Sequence, residues 1–372
     1  MTDRFDPTAG MVDWDLAVST GTRLVRPGPQ VSPAEARAAV AELRAAATRA
    51  QTHVRDYTGL HAPSGDSQVA VIDRPGWIRA NADGFRTILG PVVTKLQDKR
   101  KTPASPLTTA VGSKVTAVET GSLLALLSTK VLGQYELFPP YGSSMNGETP
   151  PQGRLLLVAP NIVAAEREMS VDPSDFRLWV CLHEETHRVQ FGANPWLRDH
   201  LISELGAFLA ATEVDAGALL RRLGGVLGSV NEALRGDGSG DSLLEAIQTP
   251  AQREILARVT AVMSLLEGHA DVVMDGVGPS VVPSVDVIRD RFNQRREDAG
   301  RPEMVLRRLL GFEAKLRQYR DGARFVRGVV DRVGMAGFNQ VWTSPETLPR
   351  AGEIADPAAW VARVCGSPAL PR

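Results

Sequence analysis

The sequence predicts a mainly helical α+β fold, in which long helices surround a small β-sheet. Segments whose apolar residues recur at helical spacing follow one another along most of the 372 residues, and several begin with Ser or Asp next to Pro, as helices often do. Strand-like runs are confined to 68–72, 135–138 and 154–159. The hydrophobic content of 43% and charged content of 23% are ordinary for a globular protein of one elaborate domain or two closely packed ones.

Residues 1–134 are predicted to form an N-terminal helical region. Ser32 and Pro33 mark the start of a long Ala-rich helix that reaches about Tyr57, because Ser is a preferred N-cap and Pro suits the first helical turn. The other elements expected here are a short helix at 13–24, the strand at 68–72, helices at 77–96 and 108–132, and a polar, proline-containing loop at 97–106.

Residues 135–372 are predicted to form the region that carries the chemistry, packed as one unit with the N-terminal region. The remaining elements expected here are the strands at 135–138 and 154–159, then helices at 160–169, 173–190, 194–211 and 250–275. The last of these should end at Gly276–Pro279, which is a strong stop signal.

The helix at 173–190 contains the sequence His-Glu-Glu-Thr-His at 183–187. His183 and His187 lie one helical turn apart on the same face, where two imidazoles can hold one zinc ion. Glu184 projects beside them and can act as general base toward a water at the metal. The alternative is an ordinary helix with two histidines, so the motif needs support from elsewhere in the chain.

That support comes from a second helical stretch, where Glu267 is followed one turn later by Asp271. A catalytic zinc site needs a third protein ligand, and Glu267 can supply it. Asp271 can then accept a hydrogen bond from the free ring nitrogen of a ligand histidine. His269 is a rival third ligand, but its spacing points it elsewhere on a regular helix, which favours a substrate-side or transition-state role. The alternative is a helix whose polar face carries these residues by chance.

The two motifs together resemble the zincin metallopeptidases whose third ligand is a glutamate. More closely, the chain resembles an actinobacterial zincin-like family of hydrolases, some members of which are associated with biosynthesis of a deazaflavin coenzyme. This resemblance implies a metallopeptidase-like fold and says little about substrate. The segments that carry it span nearly the whole chain: 12–17, 74–77, 183–191, 266–271, 311–319 and 338–342.

Two further expectations follow from this resemblance. Zincins often place an edge strand above the metal, where an extended substrate adds as a further strand, and the run at 154–159 is either that edge or part of a plain structural hairpin. A zinc protease also needs a donor for the oxyanion of its tetrahedral intermediate, and the candidates are His269, Arg317 and Tyr319.

Composition and net charge limit the binding partners and the cellular compartment that we expect for this protein. The net charge of −1 does not indicate a protein that binds nucleic acid or an anionic membrane. Two cysteines, Cys181 and Cys365, do not indicate a disulfide framework, and Cys181 should face away from the metal because it lies two residues before His183. We find neither a signal-peptide core nor an apolar run long enough to span a membrane, so we expect a cytoplasmic protein.

We therefore expect a zinc-dependent hydrolase of peptide or amide bonds, with His183, His187 and Glu267 on the metal and Glu184 as base. Two alternatives remain open. One is an inactive protein of the same fold that serves as an interaction partner, and the other is a metal hydrolase that acts on a small molecule near coenzyme synthesis. The sequence leaves the oligomeric state open.

Overall fold

The computed structural model describes residues 6, 8, 10–62, 69–99, 106–137, 153–211, 249–297 and 312–366. Their contacts divide the chain into two compact units, one made of Met1–Ala193 with Val273–Phe292 and the other of Asn194–Val272 with Asn293–Arg372. The predicted class, mostly helical with a small sheet, is confirmed. The predicted boundary between residues 134 and 135 falls inside the first unit, because strands from both sides of it pair in one sheet.

The helices and strands of the described residues follow one another along the chain. In order they are α1 (Trp14–Leu24), α2 (Pro33–Thr58), β1 (Val69–Ile72), α3 (Arg74–Lys99), α4 (Pro106–Leu127), β2 (Gly133–Glu136), β3 (Arg154–Val158), α5 (Ala159–Met169), α6 (Pro173–Ala193), α7 (Pro195–Ala210), α8 (Pro250–Val277), α9 (Val285–Glu297), α10 (Phe312–Phe338), α11 (Ala351–Ala355) and α12 (Pro357–Val364). Short 3₁₀ turns at Asn339–Trp342 and Pro345–Thr347 lie between α10 and α11.

Helix α2 begins and ends as its sequence predicts. The Ser32 hydroxyl accepts a hydrogen bond from the Glu35 backbone N–H, and the Glu35 carboxylate accepts one from the Ser32 backbone N–H. This reciprocal pair satisfies two of the N–H groups that a helix start leaves without partners. Gly59 ends the helix in the left-handed region at φ 68°, a conformation that costs glycine little.

The first unit contains a three-stranded sheet in the order β1-β3-β2. Strand β3 is central: it pairs in parallel with β1, with Leu155 opposite Val69, and antiparallel with β2, with Leu157 opposite Gly133. The expectation that 154–159 is an exposed edge strand is therefore wrong, because neighbours occupy both of its edges. The hairpin alternative is confirmed for β2 and β3, and the parallel partner β1 adds to it.

Several element boundaries differ from the predicted ones. Helix α4 ends at Leu127 rather than near Leu132, and a turn over Ser128–Lys130 leads into β2, which begins at Gly133. Helix α3 extends to Lys99, into the stretch predicted as a loop, and residues 100–105 lie outside the described part of the chain.

The main core of the first unit lies between α2, α6 and the sheet. Small residues on α2, among them Ala46, Ala47 and Ala50, let α6 approach closely, while Phe176 and Leu182 of α6 are fully buried against them. The core is completed by a later stretch of the chain, since it includes the buried residues Val273, Met274, Val282, Val285 and Ile288.

The second unit contains α7, most of α8, α10 and the C-terminal turns and helices. Phe325 of α10 and Trp360 of α12 are both fully buried and meet edge to face, with ring centroids 5.9 Å apart. The Trp360 indole N–H donates to the Thr347 carbonyl at 2.8 Å, which ties the C-terminal helix to the preceding 3₁₀ turn. None of the helices in the described ranges has the length and apolar character needed to cross a bilayer.

Candidate metal centre

Helix α6 presents the two histidines of the motif. Its start matches the predicted signal, because the Asp172 carboxylate accepts a hydrogen bond from the Asp175 backbone N–H at 2.9 Å and Pro173 is the first helical residue. Arg177 then binds Glu166 of α5 and Glu42 of α2, which fixes the first half of α6 against its neighbours. The histidines follow on a helix that is buried along most of its length.

The imidazoles of His183 and His187 face each other through their Nε2 atoms. Their Nε2 atoms are 3.2 Å apart, and their rings meet edge to face with centroids separated by 4.8 Å. Tetrahedral zinc bound by nitrogen at about 2.0–2.1 Å requires about 3.3 Å between two such ligand atoms. The two Nε2 atoms therefore already have the separation that one zinc ion imposes on a pair of ligands.

The opposite ring nitrogen of each histidine faces a hydrogen-bond acceptor. Nδ1 of His187 faces the amide oxygen of Gln190 at 2.9 Å, and Nδ1 of His183 faces the thioether sulfur of Met274 at 3.3 Å. Amide oxygen and thioether sulfur only accept hydrogen bonds, so these contacts favour the neutral tautomer with the proton on Nδ1 and a lone pair on Nε2. In that tautomer the two Nε2 lone pairs face each other, and one cation can accept both.

Glu267 completes a group of three residues that could hold a metal ion. His183, His187 and Glu267 each offer one ligand atom, and these atoms all lie within 4.8 Å of one another. Glu267 is 8% exposed and lies two helical turns before Met274 on the continuous helix α8, and therefore on the same face as the methionine that contacts His183. Two imidazoles and a buried carboxylate form a donor set that suits zinc.

Glu184, the predicted base, is 6% exposed and packs against strand β2 of the same unit. The next residue, Glu185, has a different partner, since Arg188 donates to both of its carboxylate oxygens from Nε at 2.7 and 2.8 Å. Burial raises the pKa of the Glu185 carboxyl above its ordinary value, although Arg188 acts in the opposite direction. The two adjacent glutamates thus have different partners: Glu184 packs against β2, and Glu185 forms an ion pair with Arg188.

Cys181 faces away from the histidines, as predicted. Its thiol is fully buried and lies 3.8 Å from the Leu43 carbonyl of α2. Burial raises the pKa of the Cys181 thiol far above its ordinary value, with the Glu184 and Glu185 charges acting in the same direction. A thiol that stays protonated is a poor metal ligand, so Cys181 is part of the core.

The remaining predicted site residues have different positions. Asp271 lies on α8 one turn after Glu267 and is partly buried, and its role toward a ligand histidine stays a prediction. His269 is completely buried, with its ring centroid 5.2 Å from Phe338 and 5.4 Å from Trp342, so its role toward substrate or oxyanion also stays a prediction. Arg317 and Tyr319 belong to the helical range of α10, but their side chains lie outside the described residues.

Sequence reasoning missed Gln190 and Met274, which contact the Nδ1 atoms of the two histidines. Gln190 has a detectable signal, because a polar residue three positions after His187 shares its helix face. Met274 is seven residues after Glu267 and hence on the same face of α8, but a methionine in an apolar run is read as core. A third residue, Gly133 of β2, has no signal of this kind because its contact is with a helix distant in sequence.

The chain is similar to known proteins over almost its whole length. A crystal structure from Chloroflexus aurantiacus, described as that of a "putative hydrolase with a novel fold", matches with a TM-score of 0.67 and 28% identity, covering 96% of this chain and 100% of that one. No curated protein sequence matches the chain. The sequence profile of the zincin-like metallopeptidases matches residues 12–361, which include both histidines and Glu267. With a match over nearly its whole length, the chain belongs to the zincin-like metallopeptidase family.

Proposed function

We propose that the protein is a zinc-dependent hydrolase that cleaves a peptide or amide bond. The observation that carries the proposal is the group formed by His183, His187 and Glu267, whose ligand atoms lie within 4.8 Å of one another. The contacts at Nδ1 support it, because they favour the tautomers in which both histidines present Nε2 lone pairs, at a separation suited to zinc. The family supports the hydrolytic character of the reaction.

Each residue of the group has a distinct task in this proposal. His183, His187 and Glu267 hold the metal, and Gln190 and Met274 keep the two imidazoles oriented. Zinc, when bound, supplies a Lewis acid that polarises a carbonyl and lowers the pKa of water to about 7. Glu184 takes the proton of the attacking water and passes it to the departing amine.

We place the substrate along β2 rather than β3, since β3 is the central strand. In the sheet as described, β2 is an outer strand, and its residue Gly133 lies directly against Glu184. An extended peptide that pairs with β2 would bring its backbone next to the proposed base. The net charge of −1 supports a peptide or small-molecule substrate over nucleic acid or an anionic membrane.

We also propose a reducing, cytoplasmic setting. Both cysteines are free thiols, and Cys181 is buried in the core of its unit, where a disulfide partner has no access. The test is to titrate thiols in the denatured protein after purification from cytosol without reductant, where two reactive thiols per chain are expected. Fewer than two would contradict this setting.

The first experiment on the reaction is elemental analysis of the purified wild-type chain, without added metal. About one zinc per chain, retained on dialysis, is the expected result. A chain that contains no metal and takes up none on titration would overturn the hydrolase proposal and favour an interaction protein of the same fold. With metal present, a peptide library and a panel of amide-containing small molecules, compared between wild type and Glu184→Gln, decide between a peptidase and a small-molecule hydrolase.

A further inference from the structure

Strand β2 and helix α6 lie against each other in the first unit, and their contact is uneven along its length. At one position Tyr135 stacks on Phe191, with ring centroids 6.1 Å apart and the planes 20° from parallel. Two residues earlier on the same face of the strand, Gly133 lies against Glu184, seven residues before Phe191 on the helix. One face of α6 therefore meets a large aromatic side chain, that of Tyr135, at Phe191 and a residue without a side chain, Gly133, at Glu184.

The space that a side chain at position 133 would need is occupied by Glu184. A Cβ built on Gly133 would lie 2.6 Å from Cγ, 2.7 Å from Cδ and 2.8 Å from Oε1 of Glu184. Ordinary contacts between such atoms are about 3.5–4.0 Å. The Glu184 carboxylate therefore lies where the side chain of any other residue at position 133 would begin.

The backbone on either side of this contact has little freedom to move. Gly133 pairs with Leu157 of the central strand, and the adjacent Leu132 carbonyl accepts a hydrogen bond from Val158 N–H at 2.8 Å. Helix α6 is held on its other side by α2, with Cys181 and Leu182 fully buried. If a methyl group is added at position 133, the part that yields most easily is the Glu184 side chain.

We propose that Gly133 is a positioning residue for the general base: its missing side chain gives the Glu184 carboxylate its place between β2 and α6. The inference rests on the proposed function, since Glu184 has a catalytic task only if the neighbouring histidines hold a metal. The three atoms nearest to a Cβ at position 133 all belong to Glu184, and none belongs to His183, His187 or Glu267. Substitution of Gly133 should therefore displace the base and leave the metal in place.

The test uses the full-length chain loaded with Co²⁺ in place of zinc, because the visible spectrum of cobalt responds to the groups around the metal. Gly133→Ala should bind as much cobalt as wild type, and its spectrum should move to that of Glu184→Gln. Gly84→Ala is the matched control, since its added methyl meets no atom within 4 Å among the described residues, and its spectrum should stay that of wild type. In the double variant Gly133→Ala/Glu184→Gln, the spectrum should equal that of Glu184→Gln alone.

The outcomes separate the inference from the proposed function. Full cobalt binding with a wild-type spectrum in Gly133→Ala overturns the inference and leaves the hydrolase proposal standing, whereas no cobalt binding by the wild type overturns the hydrolase proposal. A crystal structure of Gly133→Ala decides the positioning independently of metal, because a Glu184 carboxylate in its original place overturns it. If Gly133→Ala does not fold, recovery of folding in Gly133→Ala/Glu184→Ala supports the steric coupling, and failure of both overturns it.

Discussion

Gly268 and Gly322 bring helices α8 and α10 into direct backbone contact, one residue after the proposed ligand Glu267. A Cβ built on Gly268 would collide with the backbone of Gly322 and Ala323, and one built on Gly322 would collide with the carbonyl of Ser264. The helices can approach this closely only because neither residue has a side chain. The contact therefore sets the position of the α8 turn that carries Glu267.

We predict that Gly268→Ala lowers the free energy of unfolding by at least about 1–3 kcal/mol. The added methyl would meet backbone atoms of Gly322 and Ala323, which cannot move aside as a flexible side chain can. Urea unfolding followed by circular dichroism measures the change. Gly206→Ala in α7 is the control, since its added methyl meets no atom within 4 Å among the described residues, and it should raise stability by up to about 1 kcal/mol through helix propensity. Equal effects of the two substitutions would show that the close contact is not present in solution.

The metal ligands give the second prediction. His183→Ala and Glu267→Ala should each reduce bound zinc from about one per chain to nearly none after dialysis, because a site with two protein ligands holds zinc weakly. Glu184→Gln should keep the metal, since its task is proton transfer. The control is Glu254→Gln on the same helix α8, where the side chain is 77% exposed. If Glu267→Ala kept its full zinc content, the third ligand would be His269 or another residue rather than Glu267.

The third prediction concerns the residues that orient the ligand histidines. Gln190→Met removes the oxygen that faces His187 Nδ1 while keeping the side-chain length, and it should weaken zinc binding about 10–100-fold. Competition with a metal-sensitive chelating dye measures the affinity, and the exposed Gln340→Met is the control. The same assay on Asp271→Asn tests whether Asp271 accepts a hydrogen bond from a ligand histidine. A comparable loss of zinc affinity supports this role, whereas unchanged affinity leaves Gln190 and Met274 as the partners of the two rings.

The fourth prediction concerns the acid stability of the C-terminal segment. Burial acts to raise the pKa of Glu353, but hydrogen bonds from Arg363 and from the Arg350 backbone N–H outweigh it and hold the pKa below its ordinary value. Because the folded-state pKa is lowered, this stabilisation is complete above the unfolded pKa of about 4.3 and is lost as pH falls through the folded value. Protonation of Glu353 thus favours the unfolded state.

Glu353→Gln tests this sign directly. At pH 7 the variant should be less stable than wild type by roughly 1–2 kcal/mol, because charge-assisted hydrogen bonds are lost. The difference should shrink as pH falls below about 4.3, where the wild type loses the same charge. Glu119→Gln, at an exposed position of α4, controls for the loss of one negative charge. A difference that stays constant from pH 7 to 3 would contradict the role assigned to the Glu353 charge.

Local signals in the sequence predicted the parts of this protein that depend on neighbours along the chain. The N-cap at Ser32 and the start of α6 at Pro173 follow from rules that act over three or four residues. The spacing of His183 and His187 likewise fixes their common face once the helix forms. These elements could be predicted because the interactions that decide them lie within one or two helical turns.

The parts that the sequence did not predict depend on partners far along the chain. The central position of β3 results from its parallel pairing with β1, and the run at 154–158 contains no signal for that distant strand. The contact of Met274 with His183 likewise joins two separate helices. The predicted elements leave Gly133 between the helix at 108–132 and the strand at 135–138, because the reason for a glycine there is the distant carboxylate of Glu184. Such features follow from tertiary packing rather than from local propensity.

The first unit is built from two stretches of chain, and this has a consequence for protein synthesis. Its core includes Val273, Met274 and Ile288, which the ribosome adds only after the whole of 194–272 has been made. Helices α2 and α6 therefore emerge with part of their apolar surface uncovered, and they stay so while the intervening residues are translated. A nascent chain stalled before residue 273 should expose this surface and recruit chaperones, whereas one released after residue 292 can close it.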